Sequence, residues 1–191
     1  MRIIAGKYRS RKINSALADK ENCVRGNHRS LRPTTDRARE SLFNILNNII
    51  DFDGLNSLDL FAGTGAVGFE LISRGAAFVS FVDISAKQLK LIESTAEELG
   101  CKENISITKQ EVKNFLIKNK GSFYDLIFAD PPYNSDEADK EWLNYIKDIG
   151  FTVLIIEEGP ADNYELQIEG YEMLRRKTGI TKFKIFVSDK E

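Results

Sequence analysis

Two periods of apolar residues run through this chain. From Ser57 onward, short apolar runs alternate with stretches that repeat every three to four residues. "SLDLFAG" reads as a buried strand and turn, followed by a helix from about Ala66 to Arg74. "AFVSFVD" is a second strand. "SAKQLKLIESTAEELG" then sets Leu89, Ile92, Ala96 and Leu99 on one helical face, with Gly100 just past its end. "NISITK", "YDLIFA" and "FTVLIIEE" are three further strands, separated by helices at "EVKNFLIKN" and "EADKEWLNYIKDIG". Strand and helix in strict alternation imply a parallel sheet covered on both faces, joined by right-handed crossovers.

The pattern differs at both ends. "YEMLRRKTGITKFKIFVSD" offers two strands joined by a short turn at Thr178 and Gly179, so an antiparallel hairpin should complete a seven-stranded, mostly parallel α/β sheet. Near the start, "RIIAGKYRSRKI" suits a small hairpin with a turn at Gly6. Two strands alone are marginal, so this arm should lean on the main domain or on a ligand. Residues 16–31 read as a polar link. In "RPTTDRARESLFNILNNII", Thr34, Thr35 and Asp36 offer capping oxygens, and Ala38, Leu42, Ile45, Leu46 and Ile49 share a helical face. We divide the chain into residues 1–30, a basic arm and linker, and residues 31–191, the α/β domain.

Composition narrows the class. With 191 residues, 42% hydrophobic and 29% charged, the chain is that of a globular protein with one substantial core. No run suits a membrane span or a secretory leader, so a cytoplasmic location is expected. Cys23 and Cys101 belong to no metal-ligand spacing, and His28 is the only histidine. No metal site and no histidine-based triad are expected.

Charge changes the picture more than composition does. The net charge is −2, but residues 1–39 carry 11 Lys or Arg against 3 acids, and the remainder 16 against 26. A basic arm on an acidic body suits nucleic-acid phosphates, although a solvated tail has the same signature. Lys7, Arg9, Arg11, Lys12, Arg32 and Arg37 are the candidate nucleic-acid contacts, with Arg39 beside them.

The turn after the first strand is Gly63-Thr64-Gly65-Ala66-Val67-Gly68, a GxGxxG that lets backbone approach a ligand and a helix pack closely. Asp83 ends the second strand, 20 residues beyond Gly63, and can accept bonds from ribose hydroxyls. An adenosine-containing cofactor is implied. Asp59, just before the glycines, would oppose a pyrophosphate but suits a cationic group such as the ammonium of S-adenosylmethionine. The fourth strand ends in Asp130-Pro131-Pro132-Tyr133 at the ligand edge of such a sheet. Asp130 and a backbone carbonyl held by the prolines can accept both N–H bonds of an exocyclic amine, and Tyr133 offers a ring for a base.

"DLFAGTGAVGFE" with "DPPY" resembles the class I methyltransferases of exocyclic amines, which have a Rossmann-like fold. More narrowly, "RIIAGKYRSRKI", "RPTTDRARESLFNIL" and "LDLFAGTGAVGFELISRGA" resemble the RsmD family, which methylates N2 of a guanine in 16S ribosomal RNA. The resemblance runs over most of the chain, to "RRKTGITKFKIF". It implies that S-adenosylmethionine is held by Asp59, Phe61, Gly63, Gly65, Asp83, Ile84 and Glu111, although Phe61, like Trp142, also suits the core. It implies that Asp130, Pro131, Pro132 and Tyr133 hold the amine, and that the protein acts as a monomer on the small ribosomal subunit or its assembly intermediate. Three departures stand out. Ser10 replaces a frequent glycine, Glu111 replaces a frequent aspartate, and Ala16–Ser30 is longer than the family pattern. The alternatives are a DNA adenine-N6 methyltransferase and an RNA-binding protein with an inactive cofactor site.

Overall fold

A computed structural model describes residues 1–14, 36–132, 140–159 and 164–189. Its elements follow the sequence pattern closely: α1 (Asp36–Leu46), β1 (Asn56–Leu60), α2 (Ala66–Arg74), β2 (Phe78–Asp83), α3 (Ala86–Leu99), β3 (Ile105–Lys109), α4 (Val112–Lys118), β4 (Phe123–Ala129), α5 (Leu143–Ile146), β5 (Gly150–Glu158), β6 (Tyr171–Thr178) and β7 (Thr181–Ser188). One seven-stranded sheet has the order β3-β2-β1-β4-β5-β7-β6. β1 to β5 pair in parallel, and β7 runs antiparallel to both β5 and β6. This is the Rossmann-like methyltransferase fold. Its order reverses between β1 and β4, where open α/β sheets form their ligand crevice.

Apolar side chains on the two faces form two cores. α1, α2 and α3 cover one face through Leu42, Phe43, Val67, Phe69, Leu89 and Ile92, packed on Val79, Phe81, Phe128 and Ile155. α4 and α5 cover the other through Phe115, Leu116 and Ile146, packed on Leu58, Leu60, Ile127 and Leu154. Residues 137–139 of the helix expected over "EADKEWLNYIKDIG" lie outside the described residues, and in the described part α-helix covers a single turn, Leu143–Ile146. Gly150, the last residue of that stretch, already belongs to β5. The capping residues Thr34 and Thr35 lie outside the described residues, as do Cys23 and His28.

The N-terminal hairpin exists in minimal form, closed by one antiparallel bridge between Arg2 and Lys12. It leans on the domain as a two-stranded unit must. Ile3 and Ile13 are buried in the core beneath α1, α2 and α3, each worth roughly 1.5–3 kcal/mol on the transfer scale. The Glu70 carboxylate on α2 accepts the backbone N–H groups of Ile4 (2.8 Å) and Ala5 (3.0 Å). Ser73 accepts the amides of Lys7 and Tyr8, at its carbonyl and hydroxyl oxygens respectively. Gly6 passes so close that a Cβ there would lie 1.8 Å from the Ser73 carbonyl oxygen.

Arg39 corrects a sequence reading. It is not a surface cation extending the arm but a fully buried one, bonded to the Arg2 carbonyl and Asp36 and lying 3.8 Å from Glu70. Burial draws its pKa downward, against the pull of Asp36 and Glu70. It ties α1 to the arm.

Ser10, which departs from the glycine frequent in the family, has φ = 67°, in the left-handed region that costs a residue with a Cβ about 1–2 kcal/mol. Part of that cost is recovered from the smaller entropy of its unfolded chain. Ser10→Gly should therefore raise unfolding free energy by about 0.5–1 kcal/mol in urea titrations, and a decrease would show that the serine hydroxyl stabilises the turn.

Candidate functional site

The cleft is built from four loops at the C-terminal ends of β1 to β4. After β1 the chain turns sharply: Phe61 has φ = 56°, Gly63 52° and Gly65 72°. Only Phe61 carries a side chain in this left-handed run, and strain of this kind collects at ligand sites. The third glycine serves packing. A Cβ on Gly68 would lie 2.2 Å from the Phe81 ring, so its absence is what lets α2 approach β2.

Asp59 is placed beneath this turn, not on the cleft wall. It is 2% exposed and accepts the Gly68 N–H at 3.0 Å, satisfying one of the free amides in the first turn of α2. Burial pushes its carboxyl up to about 8, the Gly68 bond draws it back, and nearby Asp83 adds to the rise. Asp59 therefore does not line the cleft as expected but lies beneath the turn, where it holds the helix in position and burial favours its neutral form.

Asp83 does reach the cleft, and it organises it. One carboxylate oxygen accepts the Gly63 N–H at 2.8 Å and the other the Ser85 N–H at 2.7 Å. The glycine turn and the β2–α3 loop are therefore tied together by one side chain. Gln110 extends the tie, its amide donating to the Asp83 carbonyl.

A space of about 250 Å³ lies between these loops, lined by Phe61, Asp83, Ile84, Gln110, Glu111, Val112, Lys113, Pro132 and Trp142. Ile84 is 70% exposed and lends this space an apolar surface. The donors and acceptors suit a nucleoside: carboxylates at Asp83 and Glu111 for hydroxyl and amino groups, apolar walls for a ring. Glu111 is exposed and holds Asn114 at 2.7 Å, leaving its second oxygen for a ligand.

Sequence reading placed Trp142 in the core and passed over Gln110, Val112 and Lys113. Trp142 is both core and wall. It is 3% exposed and meets Phe61 edge-on, with ring centroids 5.4 Å apart. Its indole N–H has no partner among the described residues. A buried unpaired donor costs about 1–3 kcal/mol, so this one marks a place where an acceptor belongs.

Asp130 sits beside the cleft because β4 pairs with β1. Its amide donates to the Leu60 carbonyl at 3.4 Å, and Pro132, two residues on, lines the cleft. Tyr133 lies outside the described residues. So does Arg32.

The cations of the arm lie elsewhere. Lys7, Arg9, Arg11 and Lys12 are exposed. The Lys7 amide rests on Ser73 near the end of α2, and the Arg11 guanidinium donates to the Glu98 carbonyl near the end of α3. Helices that follow parallel strands end at the opposite edge of the sheet from where they start. The turn of the arm is thus remote from Asp130, about 13 Å or more along α2. Arg37, exposed in the first turn of α1, completes the set.

Comparison with known proteins agrees with the fold. The family model described as conserved hypothetical protein 95 matches residues 1–187. A ribosomal RNA small subunit methyltransferase D of Haemophilus influenzae is 30% identical over 194 residues, covering 97% of this chain and 93% of that one. An Escherichia coli protein whose solved structure carries a provisional methyltransferase label superposes with a TM-score of 0.78, at 25% identity, over 100% of this chain and 99% of that one. At 18% identity, magnesium protoporphyrin IX methyltransferase of Synechocystis, solved with bound S-adenosylmethionine, shares the fold with a TM-score of 0.60, over 78% of this chain and 79% of that one.

Two measurements check the site. Since the folded-state pKa of Asp59 lies above the ordinary carboxylate value, the native protein keeps a proton that the unfolded chain releases from about pH 4 upward. Stability from this group is complete below that range and declines until the pH reaches about 8. Asp59→Asn, which keeps an acceptor for Gly68, should flatten the fall in melting temperature between pH 5 and pH 8; parallel slopes in both proteins would exclude a buried neutral acid. Trp142 is the only tryptophan, so its emission should change when S-adenosylhomocysteine is titrated in, and Trp142→Phe should weaken that binding as read by calorimetry. Unaltered emission at saturation would place the nucleoside elsewhere.

Proposed function

The chain belongs to the conserved hypothetical protein 95 family, the RsmD family of ribosomal RNA methyltransferases, and from that membership we propose that it methylates the exocyclic N2 amine of a guanine in 16S ribosomal RNA, with S-adenosylmethionine as the methyl donor. The observation that carries this reading is the adjacency of two sites. A nucleoside-sized cleft organised by Asp83 abuts Asp130-Pro131-Pro132, because β1 and β4 are paired neighbours.

The residues present fit the cofactor. Asp83 would take the ribose hydroxyls, Glu111 the adenine amine, and Ile84, Val112 and Phe61 the faces of the ring. The glycine turn lets the methionine portion approach backbone. Bound there, S-adenosylmethionine supplies an electrophilic methyl group on a positively charged sulfur.

The protein's own part is orientation. An aromatic amine has its lone pair spread into the ring, which makes it a poor nucleophile. Asp130 would accept one N–H bond and a carbonyl of the Asp130-Pro131-Pro132 turn the other, favouring a pyramidal nitrogen whose lone pair is localised toward the methyl group. Two prolines fix φ and hold those acceptors without reorganisation. Transfer would leave S-adenosylhomocysteine in the cleft, and the proton lost by the methylated amine would depart to solvent. Tyr133 supplies a stacking surface for the base. Most of the rate then comes from proximity and fixed dipoles.

The substrate we propose is the small ribosomal subunit or an assembly intermediate of it, in the cytoplasm, bound by a monomer, with the target base turned out of its stack. The exposed Lys7, Arg9, Arg11, Lys12 and Arg37, together with Arg32, would neutralise phosphates farther along the RNA.

The test is transfer of labelled methyl from S-adenosylmethionine to small subunits lacking the modification, followed by nucleoside analysis. N2-methylguanosine should appear in 16S ribosomal RNA, with Asp130→Ala slower by roughly 10²–10³-fold. Label on adenine, or in duplex DNA, would overturn the guanine assignment.

A further inference from the structure

Among the described residues, the β6–β7 hairpin gives the catalytic edge a strongly basic exposed surface, at the opposite end of the sheet from the arm. Between Leu174 and Lys182 there are four cations, Arg175, Arg176, Lys177 and Lys182, and no acid, in a part of the chain that is acidic overall. Arg175, Arg176 and Lys177 are exposed and Lys182 is half-buried. None of the four makes an ion pair among the described residues. Lys184, by contrast, is buried and already neutralised by Glu158 at 2.9 Å.

Register places the hairpin tip beside the reaction. Ala129 is level with Ile156, and Ile156 with Lys184. Lys182, paired with Glu158, therefore lies at the level of Asp130 and Pro131, two strands away, or about 10 Å at ordinary strand spacing. The tip residues Gly179 and Ile180 project beyond that level, with Ile180 64% exposed. Across the hairpin from α1, Thr178 and Ser41 share a hydroxyl hydrogen bond of 2.9 Å. Arg37, one helical turn before Ser41, adds its charge to the same edge.

A second observation points to an anion. Lys177 and Lys182 are direct cross-strand partners. Like charges in that relation repel and destabilise a hairpin. β6 is also the edge strand, and cations there deter pairing with another chain, which is the competing explanation.

We propose that the β6–β7 hairpin is an RNA-docking element that receives the phosphates flanking the target base, through Arg175, Lys177 and Lys182. Phosphates between Lys177 and Lys182 relieve their repulsion, and the strands give the contacts a fixed distance from Asp130. The arm holds RNA at the far edge of the sheet; the hairpin positions it at the near one. This rests on the ribosomal RNA reading above.

The experiment compares wild-type protein with Arg175→Gln/Lys177→Gln/Lys182→Gln in binding small subunits that lack the modification, across a range of salt concentrations. Affinity near physiological salt should fall about tenfold, and the slope of log K against log salt should shrink by about 2. Affinity for S-adenosylhomocysteine should be unchanged, and melting temperature equal or higher because a repulsive pair is gone. An unaltered slope beside normal wild-type binding, or aggregation of the variant with RNA affinity intact, overturns the docking role and leaves edge protection. Absence of salt-dependent binding by the wild type would overturn the RNA reading itself, and the hairpin proposal with it.

Discussion

The approach of α2 to the sheet is the constraint on which the cleft depends. With no Cβ at Gly68 the helix can lie against Phe81, and with Asp59 below it the first turn of that helix has a partner for one free amide. That close contact sets α2 where the glycine turn before it can meet Asp83, whose carboxylate joins that turn to the β2–α3 loop through the Gly63 and Ser85 amides. The cost is a carboxyl buried far from water, and that burial, with Asp83 nearby, favours its neutral form well above the pH at which an exposed carboxyl ionises.

Most of the sheet was legible in the sequence because β1, β4 and β5 are buried on both faces while α1 and α3 bury one side, so their periods differ sharply. α2 is buried on nearly every side, and its expected bounds, Ala66 to Arg74, follow instead from the glycines that flank it. The segment before β5 misled because Trp142, Ile146 and Ile149 repeat at helical spacing while only one turn of its described part is α-helical. The glycine turn and the Asp130-Pro131-Pro132 end were readable as neighbours, since each follows one of two strands that pair in parallel. Asp59 was readable as important but not as buried: whether an acid at a strand end faces ligand or helix depends on side-chain direction, which spacing does not reveal. Arg39 failed for a related reason. Charge counts treat every arginine as a surface cation, whereas its place inside rests on Asp36, Glu70 and the Arg2 carbonyl converging from three separate elements.

Trp142 shows the same limit from the other side. A tryptophan near a helix reads as core, and it is core by burial. Its lone N–H and its contact with Phe61 become visible only when the strand ends are brought together, as do Gln110 and Lys113. Residues that line a cleft without belonging to a motif carry no signature of their own.

The arm is held by its backbone. Glu70 takes the amides of Ile4 and Ala5, and Ser73 takes those of Lys7 and Tyr8, so the grip is written into α2 and asks almost nothing of the side chains it grips. Apart from Ile3, Ile13 and the glycine that passes Ser73, the arm is free to exchange its outward residues across generations without coming loose. Its outward chemistry can vary while its position is set by Glu70 and Ser73 on a single helix.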